Sequence, residues 1–162
     1  MNATEVHLLV NHLPIVGAFL GLALVLLAVL RRNERHTIQA ATLVLLLSGG
    51  GGIAAYFSGE EAEHAAEERP GFDHDVLEEH EDGAKPALAL LLLAGAIGGG
   101  LSYLSAKGRA VPVAASASWV IATLVAVGMM TRMGLTGREV GHPDQYGANA
   151  TVGAGEGHAP KP

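Results

Sequence analysis

The 162-residue chain has no cysteine. That excludes a disulfide framework, thiolate metal sites, iron–sulfur clusters and a cysteine nucleophile. Aromatic residues are scarce, at 4 %, so little ring volume is on hand to fill a water-soluble core. Charged residues make up 16 %, against roughly 25 % in ordinary soluble domains. The ten Lys and Arg form no dense stripe and the net charge is −6, which argues against nucleic acid as a partner. No Ser–His–Asp order, phosphate loop or dinucleotide fingerprint is present, and no catalytic set is assigned.

What is plentiful is Leu, Ala, Val and Gly, gathered in four uncharged blocks. They cover residues 13–30, 38–57, 87–106 and 111–131. About twenty apolar residues span the hydrocarbon layer as a helix. Backbone groups in lipid must bond within their own segment, so each block is expected to be helical. A buried soluble bundle would need a polar stripe on each helix, and none is visible. The expected fold is therefore all-α, a four-span antiparallel bundle set in the lipid bilayer. The domain is expected over residues 1–142. Residues 143–162 are rich in Gly, Ala and Pro and are expected to form a disordered tail.

Orientation is read from Lys and Arg. Residues 1–12 carry none, whereas Arg31, Arg32 and Arg35 follow the first block and Lys107 and Arg109 fill the third link. The two short links are thus expected inside and both termini outside, in a bacterial inner membrane. The first block has no preceding basic residue, so it reads as an uncleaved anchor rather than a signal peptide. Seven of the eight His and fifteen of the sixteen acids then fall outside. No block carries an acid or base at its middle, which lowers a transporter reading. Glycines at 49–52, 95 and 98–100 suit close helix packing, or room for a flat macrocycle.

Candidate chemistry collects on the outer side. His7 and Asn11 are four apart and share a helical face. His12 is about 140° around from His7; it sits at the mouth of the first span, where an ionisable group is functional or paired. For His7, a plain bond to a carbonyl or water is the commoner role. Pro14 either kinks the helix or marks its first turn. Residues 58–85 form an acidic hairpin: the second helix is expected to continue into water and stop at Pro70-Gly71. Glu61-x-x-His64 has the spacing of di-iron bundles, but no second such pair exists. Asp73 is placed as an N-cap for the helix that carries His80 into the third span. Beyond the fourth span, Thr136 to Pro143 is expected to turn back over the bundle end, bringing Arg138 and His142 with it.

Three functional readings follow. In the first, haem b is bound for membrane-associated electron transfer, with His12 and His80 as axial ligands. His7 and His142 are the alternates, and Arg138 neutralises the propionates. Its partner would be a membrane redox complex or an outer-side cytochrome. In the second, the chain is a cofactor-free accessory subunit of a membrane complex. In the third, Glu60, Glu63, His64 and His80 hold a divalent metal on the outer face. The haem and shared-site readings predict that His12 and His80 meet at the outer end, near Glu60 or His142.

The segments Asn11-His12-Leu13-Pro14-Ile15, Gly59-Glu60, His80-Glu81 and Gly137 to Pro143 together resemble a family of small bacterial four-helix integral membrane proteins. Members open with His-Phe-Pro-Ile, where this chain has His12-Leu13-Pro14-Ile15. The family has no assigned activity. The resemblance, which covers most of residues 6–143, implies the same four-span fold, and a redox association with a b-type haem.

Overall fold

The computed structural model describes residues 7, 10–67 and 72–142, with residues 60–66 described as backbone only. Among them are four long helices: α1 (His12–Leu30), α2 (Arg35–Glu67), α3 (His74–Ala106) and α4 (Val113–Gly141). Each neighbour in the order α1, α2, α3, α4 packs on the next, and α4 closes on α1. All four are long and apolar enough to cross a membrane. Their outward faces remain apolar: Leu30, Leu47, Phe57 and Val113 are 81, 66, 75 and 84 % exposed. Such surface is costly in water and at home in lipid.

Small residues decide the packing. The buried positions of α1 are Pro14, Ala18, Gly21, Val25 and Ala28, a ridge spaced alternately by four and three. Gly17 faces Ser48, and a Cβ at Gly51 would lie 2.9 Å from that of Leu13. Without a hydrophobic drive between helices in lipid, such close approach provides the dispersion contact that holds a bundle. The glycine clusters therefore serve packing, while Gly50, Gly99 and Gly100 face open space. Trp119, the single Trp, is fully buried. Its Nε1–H donates to the Ala94 carbonyl at 2.9 Å, and its ring lies against Gly98.

The two short links are shaped by helix-ending turns. After α1, Asn33 N–H donates to Ala28 O and Arg32 N–H to Val29 O. After α3, Arg109 N–H donates to Leu104 O and Gly108 N–H to Ser105 O. Both pairs form the Schellman pattern, which needs a left-handed residue after the helix. Gly108 (φ 67) supplies it without strain; Arg32 (φ 55) and Asn33 (φ 61) do so after α1. Asn33 Nδ2 then donates to Ser116 Oγ at 3.0 Å, tying this link to α4. Glu34 is held below the usual carboxylate range by the Thr37 hydroxyl and by the His36 backbone N–H.

The opposite end departs from expectation in one place. Residues 136–141 do not turn back; α4 runs on to Gly141 and ends at His142 (φ −139). Gly137 is retained inside the helix because a side chain from α3 occupies the space beside it. The helix stops just before Pro143, as the α region is disfavoured ahead of proline. Asp73 caps α3 as expected, accepting from Asp75 N–H at 3.0 Å. α2 extends past its apolar part to Glu67. Pro14 lies in the first turn of α1, where its missing N–H costs least. The Pro70-Gly71 stop and the tail expected over 143–162 lie outside the described residues.

Candidate metal site at the histidine end

At the end of the bundle away from the short links, two imidazoles from different segments turn inward. His7 continues the buried ridge of α1 outward, seven residues before Pro14. Its Nδ1 lies 3.0 Å from the Ala55 carbonyl and 3.3 Å from Ser58 Oγ. A carbonyl only accepts, so Nδ1 carries the proton and donates. Ser58 itself donates to Ala54 O at 2.8 Å. The His7 ring rests on Gly59, where a Cβ would lie 3.6 Å from its Cε1.

His80 lies on α3 ahead of the apolar segment that begins at Ala87. Its Nδ1 is 2.8 Å from Thr136 Oγ1. That hydroxyl is within reach of two α4 carbonyls, Arg132 O at 3.3 Å and Met133 O at 3.4 Å. The hydroxyl donates to the helix and accepts from His80 Nδ1–H. A Cβ at Gly137 would lie 3.0 Å from His80 Cε1, so glycine is what admits the ring. In both histidines Nδ1 is used for anchoring. Neither Nε2 has a hydrogen-bond partner among the described residues. Anchoring one ring nitrogen to a carbonyl or hydroxyl is how proteins orient an imidazole that offers the other to a metal.

Burial pushes the His80 pKa below its usual value, and the nearby His7 lowers it further, while Glu81 acts weakly the other way. The neutral, lone-pair-bearing form of His80 is therefore favoured. Two more groups lie toward this end of the bundle. Asn11, one turn inward from His7, donates its N–H to His7 O at 2.9 Å, and its Oδ1 is buried without a partner among the described residues. Met133, buried on α4, packs its thioether on Gly83, where a Cβ would lie 2.9 Å from Sδ. Gly83 is one turn from His80, and Met133 is one turn from Gly137, so each side chain rests on a glycine of the facing helix.

The other sequence candidates lie apart from this pair. His12 is exposed, two residues off the α1 ridge. His142 and Arg138 are exposed at the end of α4. The side chains of Glu60, Glu63 and His64 lie outside the described residues. Among the described residues, no three His, Asp or Glu gather as a metal cluster. Arg132 and Glu79 pair at 2.7 Å on the surface beside the site, each about half exposed. Asn11, Thr136 and Met133 were not singled out in the sequence as parts of one site. A four-and-three spacing carried back from Pro14 reaches Asn11 and His7, a signal that was there to find.

Compared with protein-family models, curated proteins and solved structures, the chain matches none.

Proposed function

We propose that this chain is an integral membrane protein that holds a single transition-metal ion between His7 and His80, on the outer face of a bacterial inner membrane. The observation that carries this reading is the shared state of the two rings. Each comes from a different segment, each spends Nδ1–H on a fixed acceptor, and neither Nε2 has a hydrogen-bond partner among the described residues. Purely structural histidines gain by bonding both nitrogens. Sidedness rests on the Arg and Lys of the short links. The task best suited to such a site is capture and hand-over of a metal at the membrane surface.

Haem b is the second reading, and the same ring geometry favours it, because axial imidazoles also bind iron through Nε2. The donors suit haem, while the close packing of α3 on α4 beside His80 supports the smaller occupant. The His80 ring lies on Gly137 and the Met133 thioether on Gly83, so α3 and α4 are in side-chain contact where a macrocycle would need a slot. That packing favours a single ion. Elemental analysis and the visible spectrum of the purified full chain test both readings together. One bound transition metal per chain with no Soret band supports the proposal. A Soret band with reduced α-band supports haem. A metal-free, colourless protein that co-purifies with a larger membrane complex would support the accessory-subunit reading instead.

A further inference from the structure

We propose that the short-link end of the bundle is a docking surface for anionic phospholipid headgroups, whose phosphates are received by Arg31, Arg32, Arg35, Lys107 and Arg109. This surface lies at the end opposite the histidines and is independent of the metal reading.

The first argument is charge left open. Half of the ten Lys and Arg fall within residues 31–36 and 107–109, together with one of the sixteen acids, Glu34. All five cations are exposed. Glu34 is turned to the head of α2, where its carboxylate accepts from the Thr37 hydroxyl and the His36 N–H. Lys107 Nζ lies over the Tyr103 ring, 5.8 Å from its centroid. Among the described residues none of the four arginines has a carboxylate partner.

The second argument is that both links belong to one surface. Asn33 Nδ2 donates to Ser116 Oγ at 3.0 Å. Ser116 stands in the first turn of α4, its N–H bonded to Pro112 O. The link that carries Arg31 and Arg32 is thereby tied to the place where the link that carries Lys107 and Arg109 enters α4.

The third argument is depth. Leu30, 81 % exposed, directly precedes Arg31. Tyr103 and Val113, 62 and 84 % exposed, stand four residues before Lys107 and four after Arg109. Each group of cations thus adjoins apolar side chains that face lipid, at the level where hydrocarbon gives way to headgroups. Clusters of Lys and Arg at the ends of spanning helices attract anionic headgroups, and a guanidinium pairs with phosphate through two parallel bonds. An acidic soluble protein would need these charges lifted clear of the bilayer, and the links are too short to lift them.

The fourth argument is the backbone. The helix-ending turn after α3 puts Gly108 in the left-handed region, and the matching turn after α1 puts Arg32 there. A side chain in that conformation costs free energy that glycine avoids. Strain kept at a position where glycine would fit points to a use for the side chain.

The test is native mass spectrometry of the detergent-purified full chain, mixed with equal amounts of phosphatidylglycerol and phosphatidylcholine of the same acyl chains. The proposal expects phosphatidylglycerol to be retained over phosphatidylcholine, with a preference that shrinks as ammonium acetate is raised. R31Q/R32Q/R35Q and K107Q/R109Q each weaken phosphatidylglycerol by about fivefold per charge removed. R31K/R32K/R35K, which keeps the charge, retains the preference. K85Q removes an exposed cation at the far end and leaves the preference in place. Inorganic phosphate at the concentration of the lipid does not displace it. If wild type retains the two lipids equally, the proposal is overturned and the cations are left to an acidic protein. If K85Q lowers the preference as far as K107Q/R109Q does, or inorganic phosphate displaces the lipid, the proposal is overturned as well.

Discussion

The two ends of the bundle use polar side chains for opposite purposes. At the short-link end, Asn33 Nδ2 bonds Ser116, Thr42 meets Ser102 at 3.0 Å, and deeper in Trp119 donates to a backbone carbonyl. These groups bind helix to helix. At the far end, His7 and His80 are also tied to neighbouring helices, but through one nitrogen only. Each end buries one amide oxygen without a partner among the described residues, Asn33 Oδ1 and Asn11 Oδ1. Asn11 lies one turn from His7 along the chain. The contrast separates polar groups that complete an architecture from groups held ready for something else.

The largest expected effect tests the architectural half. Trp119→Ala removes the one large ring from a fully buried position, and should cost about 3–5 kcal/mol. Thermal unfolding in detergent, followed by circular dichroism, would measure it. Metal binding in the protein that stays folded should be unchanged, because the histidine end is remote from Trp119. A coupled loss would merge the two ends into one unit.

Next is Gly98→Val. A Cβ there would lie 2.7 Å from Thr42 Oγ1 and 2.9 Å from the Trp119 ring. Overpacking of this kind costs about 1–3 kcal/mol. Gly50→Val, at a position with open space, is the control and should leave the unfolding midpoint in place.

A pH series probes the histidine end. His80 has a folded pKa below the usual 6.5. Well above pH 6.5 the ring is neutral in both folded and unfolded chain, and costs nothing. As the pH falls below 6.5 the unfolded chain takes up the proton first, so stability declines, by about 1.4 kcal/mol for each unit separating the two pKa values. Unfolding midpoints measured from about pH 7.5 down to about pH 5 should fall for wild type and fall less for H80Q. Equal slopes would show that His80 is not held neutral.

The smallest effect is Arg132→Gln. The pair with Glu79 is short but about half exposed, and such pairs contribute at most about 1 kcal/mol. Denaturant titration should register a shift near its detection limit, with metal affinity unchanged.

The helical class and the number of spans were legible because four uncharged runs of membrane-crossing length leave no other fold. The cap at Asp73 was legible from local chemistry, and so was the close packing at the glycine clusters. Which histidine meets which was not. That depends on how each helix is rotated about its axis, and helices that are apolar on every side carry no amphipathic stripe to show it. His12 attracted attention by standing at the mouth of a span, yet it is two residues from Pro14 and so lies on the opposite side of α1. The run of α4 to Gly141 was hidden by Gly137, which looks like a helix breaker in isolation. Its meaning lies in α3, where His80 needs the room.

The central claim is that His7 and His80, though 73 positions apart, face one occupant. The most direct measurement is the extended X-ray absorption fine structure of the metal-loaded full chain, recorded for wild type and for H7Q, H80Q and H12Q. The account predicts imidazole scattering equivalent to two rings in wild type and in H12Q, with one ring lost in H7Q and in H80Q. A spectrum that loses a ring in H12Q but not in H7Q would contradict it.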